Sequence, residues 1–199
     1  MKKFITGLAL IIMIGLTNIG YAQTIYKIGN SKNNSVEISG TSTLKDWEMS
    51  TESFNGNAQF SFKPGNDNDL TAVTSLNFSV LVKDLKSGTK GLDKHAYEAL
   101  KAGAYKNILF ILKSADVVPL KDNKYKLTIN GTHNIAGVEK DMVMEVYATV
   151  NTDGSITFRG SDELKMTDYK VEPPTFLFGA MKSGDKITLD FTLVYEKAN

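Results

Sequence analysis

From Val36 to Thr41 apolar and polar residues alternate, with Val36 and Ile38 on one face and Glu37 and Ser39 on the other. That is the period of a half-buried strand. The small residues Gly40 to Thr43 then allow a bend or bulge, and Trp47 follows. Trp47 to Phe62 reads as one long strand or two, interrupted at Asn55-Gly56-Asn57. Pro64 to Asp69 reads as a loop by composition. Leu76, Phe78, Val80 and Val82 alternate with polar neighbours, and Ile108, Phe110 and Leu112 form another in-phase set. The turn Lys121 to Lys124 leads into Tyr125, Leu127 and Ile129, and Met142 to Val150 alternates again. Asn151-Thr152-Asp153-Gly154 is a hairpin signal before Ile156 and Phe158. A last strand carries Ile187, Leu189, Phe191, Leu193 and Tyr195.

One segment has a different period. Leu92, His95, Ala96, Ala99 and Leu100 fall at i, i+3, i+4, i+7 and i+8, which predicts a short amphipathic helix ending near Gly103. Glu172 to Gly179 contains two prolines and cannot be a central strand, so it reads as a loop or helical turn carrying Phe176 and Phe178. About eight antiparallel strands in one mainly β domain leave a sandwich or a closed barrel. The long strands with continuous apolar faces favour a single antiparallel barrel, whose interior side chains fill or which holds one slim ligand.

The N-terminus stands apart. Lys2 and Lys3 precede an apolar run from Phe4 to Ile14, and Gly20-Tyr21-Ala22 supplies small residues for cleavage. Residues 1–22 are therefore expected to be a signal peptide and 23–199 the folded domain, periplasmic or secreted. The apolar run is shorter than the roughly 20 residues of a membrane span, so stable membrane insertion is not expected. The chain has no cysteine, which removes disulfides, thiolate chemistry and thiolate metal sites. The leader holds two of the 23 basic residues and none of the 22 acids, leaving a net charge near −1. Nothing in that balance suggests a nucleic-acid partner.

Catalytic chemistry is not legible. His95 and His133 stand at unrelated spacing and make no metal motif, each reading better as a structural residue. Asp46, Glu48 and Glu52 read as a solvated strand face, and no phosphate loop, nucleophile elbow or paired-carboxylate pattern is present. No catalytic residue, metal or cofactor is assigned. Asn130-Gly131-Thr132 reads as a turn rather than as a used glycosylation site. Ten phenylalanines and eight tyrosines are compatible with a filled core or with a lined apolar cavity, and composition does not separate the two.

Four stretches carry a resemblance. Gly40-Thr41-Ser42-Thr43-Leu44-Lys45-Asp46-Trp47 resembles Gly-x-Ser-x-x-His-Asp-Trp. Leu92 to Phe110 resembles a helix followed by Tyr-Pro-x-Ile-x-Phe, and Tyr125 to Lys140 a strand followed by Leu-Thr-Ile-x-Gly-Val-Thr-Lys. The fourth runs from Pro173-Pro174 through Gly184-Asp185-Lys186-Ile187 to Tyr195. In this order the motifs resemble the YceI-like family of periplasmic polyisoprenoid-binding proteins with a lipocalin-like barrel. Departures are local: Lys45 replaces the family His, Lys106 the Pro, His133-Asn134 the Leu-Thr, and Glu139 the Thr.

The resemblance implies a non-enzymatic carrier for a long apolar lipid such as an isoprenoid or quinone. Strand parity and the resemblance together assign the interior walls to Phe60, Phe78, Val80, Ile108, Phe110, Leu127, Ile129, Phe158 and Phe191. They assign the mouth to Trp47, Tyr169, Phe176 and Phe178. The alternative is the same barrel with a filled core, acting as a structural or stress-related interaction protein. Whether the protein forms a homodimer stays open.

Overall fold

The computed structural model describes residues 24–176 and 179–198, with the side chain of Phe176 outside that description. The expected leader and Phe178 lie outside the described residues. In chain order the strands are β1 (Ile25–Ile28), β2 (Ser35–Ser42), β3 (Trp47–Thr51), β4 (Phe54–Lys63), β5 (Asn66–Leu81), β6 (Asn107–Pro119), β7 (Lys124–Ile135), β8 (Val138–Val150), β9 (Ile156–Lys165), β10 (Thr175–Phe176) and β11 (Met181–Lys197). One helix, α1 (Lys90–Ala99), lies between β5 and β6, and a 3₁₀ turn (Met166–Tyr169) follows β9.

Neighbouring strands pair in the order β1, β4, β5, β6, β7, β8, β9, β11, and β11 returns to β1. Every pairing is antiparallel, so eight strands close a barrel without a free edge. The closing strand is one the sequence pattern does not predict. Tyr26 and Lys27 face Ala58 and Asn57 of β4 on one side and Lys197 and Glu196 of β11 on the other. Four residues are too few to show a period, yet Tyr26 is buried and seals the seam. Toward the other end of β11, β2 takes the place of β1, and β3 pairs outside β2.

The remaining departures from expectation have local causes. The strand break falls at Glu52-Ser53, where the Thr51 hydroxyl accepts the Ser53 N–H at 3.0 Å, while Asn55 to Asn57 stay in β4 opposite Ser79 to Asn77. The loop expected over Pro64 to Asp69 shrinks to Pro64-Gly65, with Gly65 at φ 78°, and β5 begins at Asn66. Asn130-Gly131-Thr132 is the middle of β7 rather than a turn, because Gly131 leaves room for the Phe110 ring that crosses it. The left-handed residue after α1 is Lys101 at φ 53°, not Gly103. Thr175-Phe176 is a short strand on Met181-Lys182 rather than a loop or helical turn. At the β7–β8 hairpin Ala136 and Gly137 both have positive φ, the geometry of a two-residue type I′ turn.

Inward-facing residues divide the barrel. Around Tyr26, Phe60, Leu127, Ile156, Phe158 and Tyr195 the core is packed, with aromatic rings meeting edge to face, such as Phe60 on Phe158 at 5.7 Å. Toward α1 and the 3₁₀ turn the packing loosens into a cavity.

Candidate functional site

The cavity forms because this end of the barrel is roofed by a helix that is only half-apolar. α1 has no fully buried residue, but Leu92, Ala96 and Leu100 turn inward against Met49, Val80 and Leu85. The helix is held by polar contacts at its rim. The Asp93 carboxylate accepts the Ser87 N–H at 2.8 Å, and Tyr97 donates to the Leu85 carbonyl at 2.7 Å. Beneath it lies a cavity of about 150 Å³, walled by Ile38, Met49, Phe78, Val80, Ile108, Phe110, Leu164, Ile187 and Leu189 among others. A second lobe of about 70 Å³ lies deeper, between Leu76, Ile129, Met144, Phe158, Phe191 and Leu193. Val36, Phe78, Phe110, His133 and Leu189 border both lobes.

The residues expected as walls all belong to inward-facing sets, but they do not share one space. Phe78, Val80, Ile108 and Phe110 line the outer lobe. Ile129, Phe158 and Phe191 line the inner lobe, together with Phe78 and Phe110. Phe60 and Leu127 line neither, being packed in the filled half with 3% and 0% of their surface exposed. Two aromatic walls sit against glycines: the Phe110 ring crosses Gly131 and the Phe191 ring crosses Gly160, where an added Cβ would lie 2.3 Å and 2.6 Å away.

Trp47, expected at the mouth, stands between two spaces. It borders the outer lobe on one side and, on the other, an open groove that also holds Lys45, Lys86, Lys186, Asp46, Glu48 and Glu163. Its N–H donates to the Ser183 hydroxyl at 2.9 Å and to the Thr41 carbonyl at 3.2 Å. Lys45 thus faces the mixed-charge groove, not the cavity. Tyr169, expected at the mouth, lies deeper: it is buried and lines the outer lobe. The contacts of Phe176 and Phe178 lie outside the described residues.

Sequence reasoning passed over His133. It continues the inward phase of Tyr125, Leu127 and Ile129 through Gly131, so strand parity alone carries the signal. Its ring is buried against Phe110 at 5.5 Å, and Nδ1 lies 3.2 Å from the Tyr169 hydroxyl. Burial pushes the imidazole pKa down to about 4. Burial, with Asp162 and Asp168 nearby, pushes the Tyr169 phenol up to about 12. Both groups are therefore neutral at pH 7. His95 is half-buried on α1, 3.7 Å from Glu98 and away from His133's cavity. Among the described residues no three His, Asp or Glu side chains converge as a metal-binding group.

A sequence model of the YceI-like domain matches residues 26–195. The chain belongs to the YceI-like family. Solved structures of the same fold include a polyisoprenoid binding domain from Saccharophagus degradans implicated in plant cell wall breakdown, with TM-score 0.65, 10% identity, and coverage of 88% of this chain and 99% of that one. Burkholderia cenocepacia BcnA superposes with TM-score 0.63 at 19% identity, covering 84% of this chain and 98% of BcnA. A Campylobacter jejuni YCEI protein does so with TM-score 0.55 at 23% identity, covering 74% and 84%. No curated protein matches the chain. At these identities the structural likeness establishes the YceI-like barrel and no more. Within that barrel, His133 and Asn134 near the end of β7 are an inward-outward pair, with His133 buried and Asn134 half-buried.

Proposed function

We propose that this protein is an exported carrier or sequestering protein for a long apolar molecule of the isoprenoid class, and that binding makes and breaks no bond. The observation that carries the reading is the pair of adjoining lobes, whose walls are almost wholly hydrocarbon and aromatic. Transfer of a chain from water into such a space stabilises the complex by about 0.8 kcal/mol per buried CH₂. The membership of the YceI-like family and the polyisoprenoid-binding description of the Saccharophagus degradans neighbour support the same ligand class. The leader-like pattern of residues 1–22 supports a periplasmic or secreted location.

Size sets a condition on this reading. A 150 Å³ cavity matches one that accepts a single benzene, so the resting lobes hold the leading isoprene units only. A longer chain requires Phe78 and Phe110, which stand between the lobes, to turn aside. The rival reading, a filled barrel acting through its surface, draws on the packed half around Phe60 and Leu127.

One experiment separates them. The purified protein is extracted with organic solvent, the extract is analysed by mass spectrometry, and the stripped protein is titrated with an isoprenoid quinone. Co-purified isoprenoid or saturable uptake is expected. A clean extract together with no uptake overturns the carrier reading. Sedimentation of the same sample decides between monomer and homodimer.

A further inference from the structure

Among the largely hydrocarbon walls of the two lobes, His133 and Tyr169 are hydrogen-bonded to each other, and their proton count constrains what they can hold. Trp47 and Ser183, which also line the outer lobe, are bonded to one another, and Tyr195 borders the inner lobe. The Nδ1–hydroxyl contact of 3.2 Å is one hydrogen bond, and no other to either side chain is seen among the described residues. A neutral imidazole carries one N–H, and a phenol carries one O–H. If Tyr169 donates to Nδ1, the imidazole proton sits on Nε2 and points away from the pair. If Nδ1 donates to Tyr169, the phenol proton is the uncommitted one, and Nε2 is an acceptor. Either tautomer leaves one donor and at least one acceptor for a third group.

We propose that this pair holds a single uncharged polar atom, a hydroxyl or a carbonyl, of an otherwise apolar ligand seated inside the barrel. The inference rests on the carrier reading and names the ligand's polar chemistry. Its geometry also excludes anions. Two lysines come near: Lys165 borders the outer lobe but is exposed to solvent, and Lys140 lies 5.7 Å over the Tyr169 ring but is ion-paired with Asp168 at 3.1 Å. The carboxyl of Asp162 is close enough to Tyr169 to raise its pKa, so a phosphate or carboxylate here would meet like charge and unpaired burial. Burial likewise keeps His133 from supplying a positive charge at neutral pH. A polar headgroup of that kind belongs outside, in the groove beyond Trp47, whereas a hydroxyl or carbonyl is satisfied within. His133 explains why an apolar wall position carries a ring nitrogen: it makes the chamber discriminate between a pure hydrocarbon and one with a neutral polar atom.

The test uses farnesol, farnesene and farnesyl phosphate, with dissociation constants read from the emission of Trp47, the sole tryptophan. Farnesol is expected to bind roughly tenfold more tightly than farnesene, the worth of one good neutral hydrogen bond, and farnesyl phosphate more weakly than farnesol. The double variant His133→Leu/Tyr169→Phe removes both polar groups and is expected to bind the alcohol and the hydrocarbon equally, with farnesene affinity kept. A second readout needs no variant. The chain has two histidines, so ¹⁵N-imidazole spectra are simple, and the His133 signals should move on adding farnesol and stay with farnesene. Equal affinity for farnesol and farnesene in the unaltered protein, or a static His133 signal, overturns this inference while leaving the carrier reading intact. Failure of all three probes to bind overturns both.

Discussion

The indole N–H of Trp47 donates to the hydroxyl of Ser183 at 2.9 Å, joining the β2–β3 hairpin to the irregular start of β11 across 136 residues of sequence. The pairing of β11 with β2 shifts register between Ser183 and Ile187, so few ladder bonds hold the wall there. The side-chain bond replaces some of that lost support. Ser183→Ala leaves the indole with only the Thr41 carbonyl at 3.2 Å. The expected cost is about 1 kcal/mol, seen as a lower urea midpoint with an unchanged slope. The emission of Trp47 should shift to longer wavelength as its ring gains water.

The same ring depends on a glycine. A Cβ at Gly40 would lie 2.4 Å from the Trp47 ring, and Gly40 is the register partner of Trp47 across β2 and β3. The ring has no flexible end to give way. Gly40→Ala should therefore displace the indole outward at a cost of about 1–3 kcal/mol, the range for overpacking. Near-ultraviolet circular dichroism reads the change, and an unmoved Trp47 band would show that the contact relaxes without consequence.

The pH dependence of stability should carry the mark of His133. Its pKa falls from 6.5 to about 4 on folding, so between those values the unfolded chain takes a proton that the folded chain refuses. Stability contributed by keeping the ring neutral is complete above pH 6.5 and is lost as pH falls toward 4, roughly 3 kcal/mol in all. His133→Leu should flatten that slope in chemical denaturation at stepped pH. The carboxylates of Asp141, Asp153 and Asp185, held low mainly by hydrogen bonds, add a loss of the same sign that begins about one pH unit above their ordinary value of 3.8, so the His133 contribution is read most cleanly between about pH 5 and 6.5.

The barrel was legible because period two survives along most of the long strands, and seven such strands with one apolar face each have few ways to bury it. Its closure was not legible. Ile25 to Ile28 shows too little pattern, and its role comes from distant partners, residues 57–59 of β4 and 195–197 of β11. Parity placed Phe78, Phe110 and Ile129 on the inner face, but depth along the barrel depends on which ends pack tightly, so it did not separate Phe60 and Leu127 from the lobes. His133 was passed over for a different reason. A polar residue in an apolar phase reads as the end of a strand unless the count is carried through Gly131, whose missing side chain interrupts the pattern in order to admit Phe110.

Phe110 is the side chain whose removal should show that the lobes are one space. It borders both, and its ring fills the room that Gly131 leaves. Phe110→Ala should cost about 3–5 kcal/mol in denaturation and yield a single larger cavity. The variant, at temperatures where it stays folded, is expected to accept a longer isoprenoid than the unaltered protein does at equal concentration. An unchanged length limit would place the constriction at Phe78 instead.

Tyr195 tests the packed half. Its hydroxyl is fully buried among Phe60, Phe158 and their neighbours and has no hydrogen-bond partner among the described residues. Burial pushes its pKa upward, as for a phenol with nothing to stabilise its anion. A lone hydroxyl in such a place has given up its bonds to water without replacement, at a cost of about 1–3 kcal/mol. The ring itself fills the core and should stay. Tyr195→Phe therefore removes the penalty and keeps the packing, and it is expected to raise the thermal midpoint or leave it unchanged. A clear loss of stability would mean that the hydroxyl is bonded in solution, most simply through a water in the neighbouring 70 Å³ lobe, which would then be wet at its inner end rather than a purely apolar chamber.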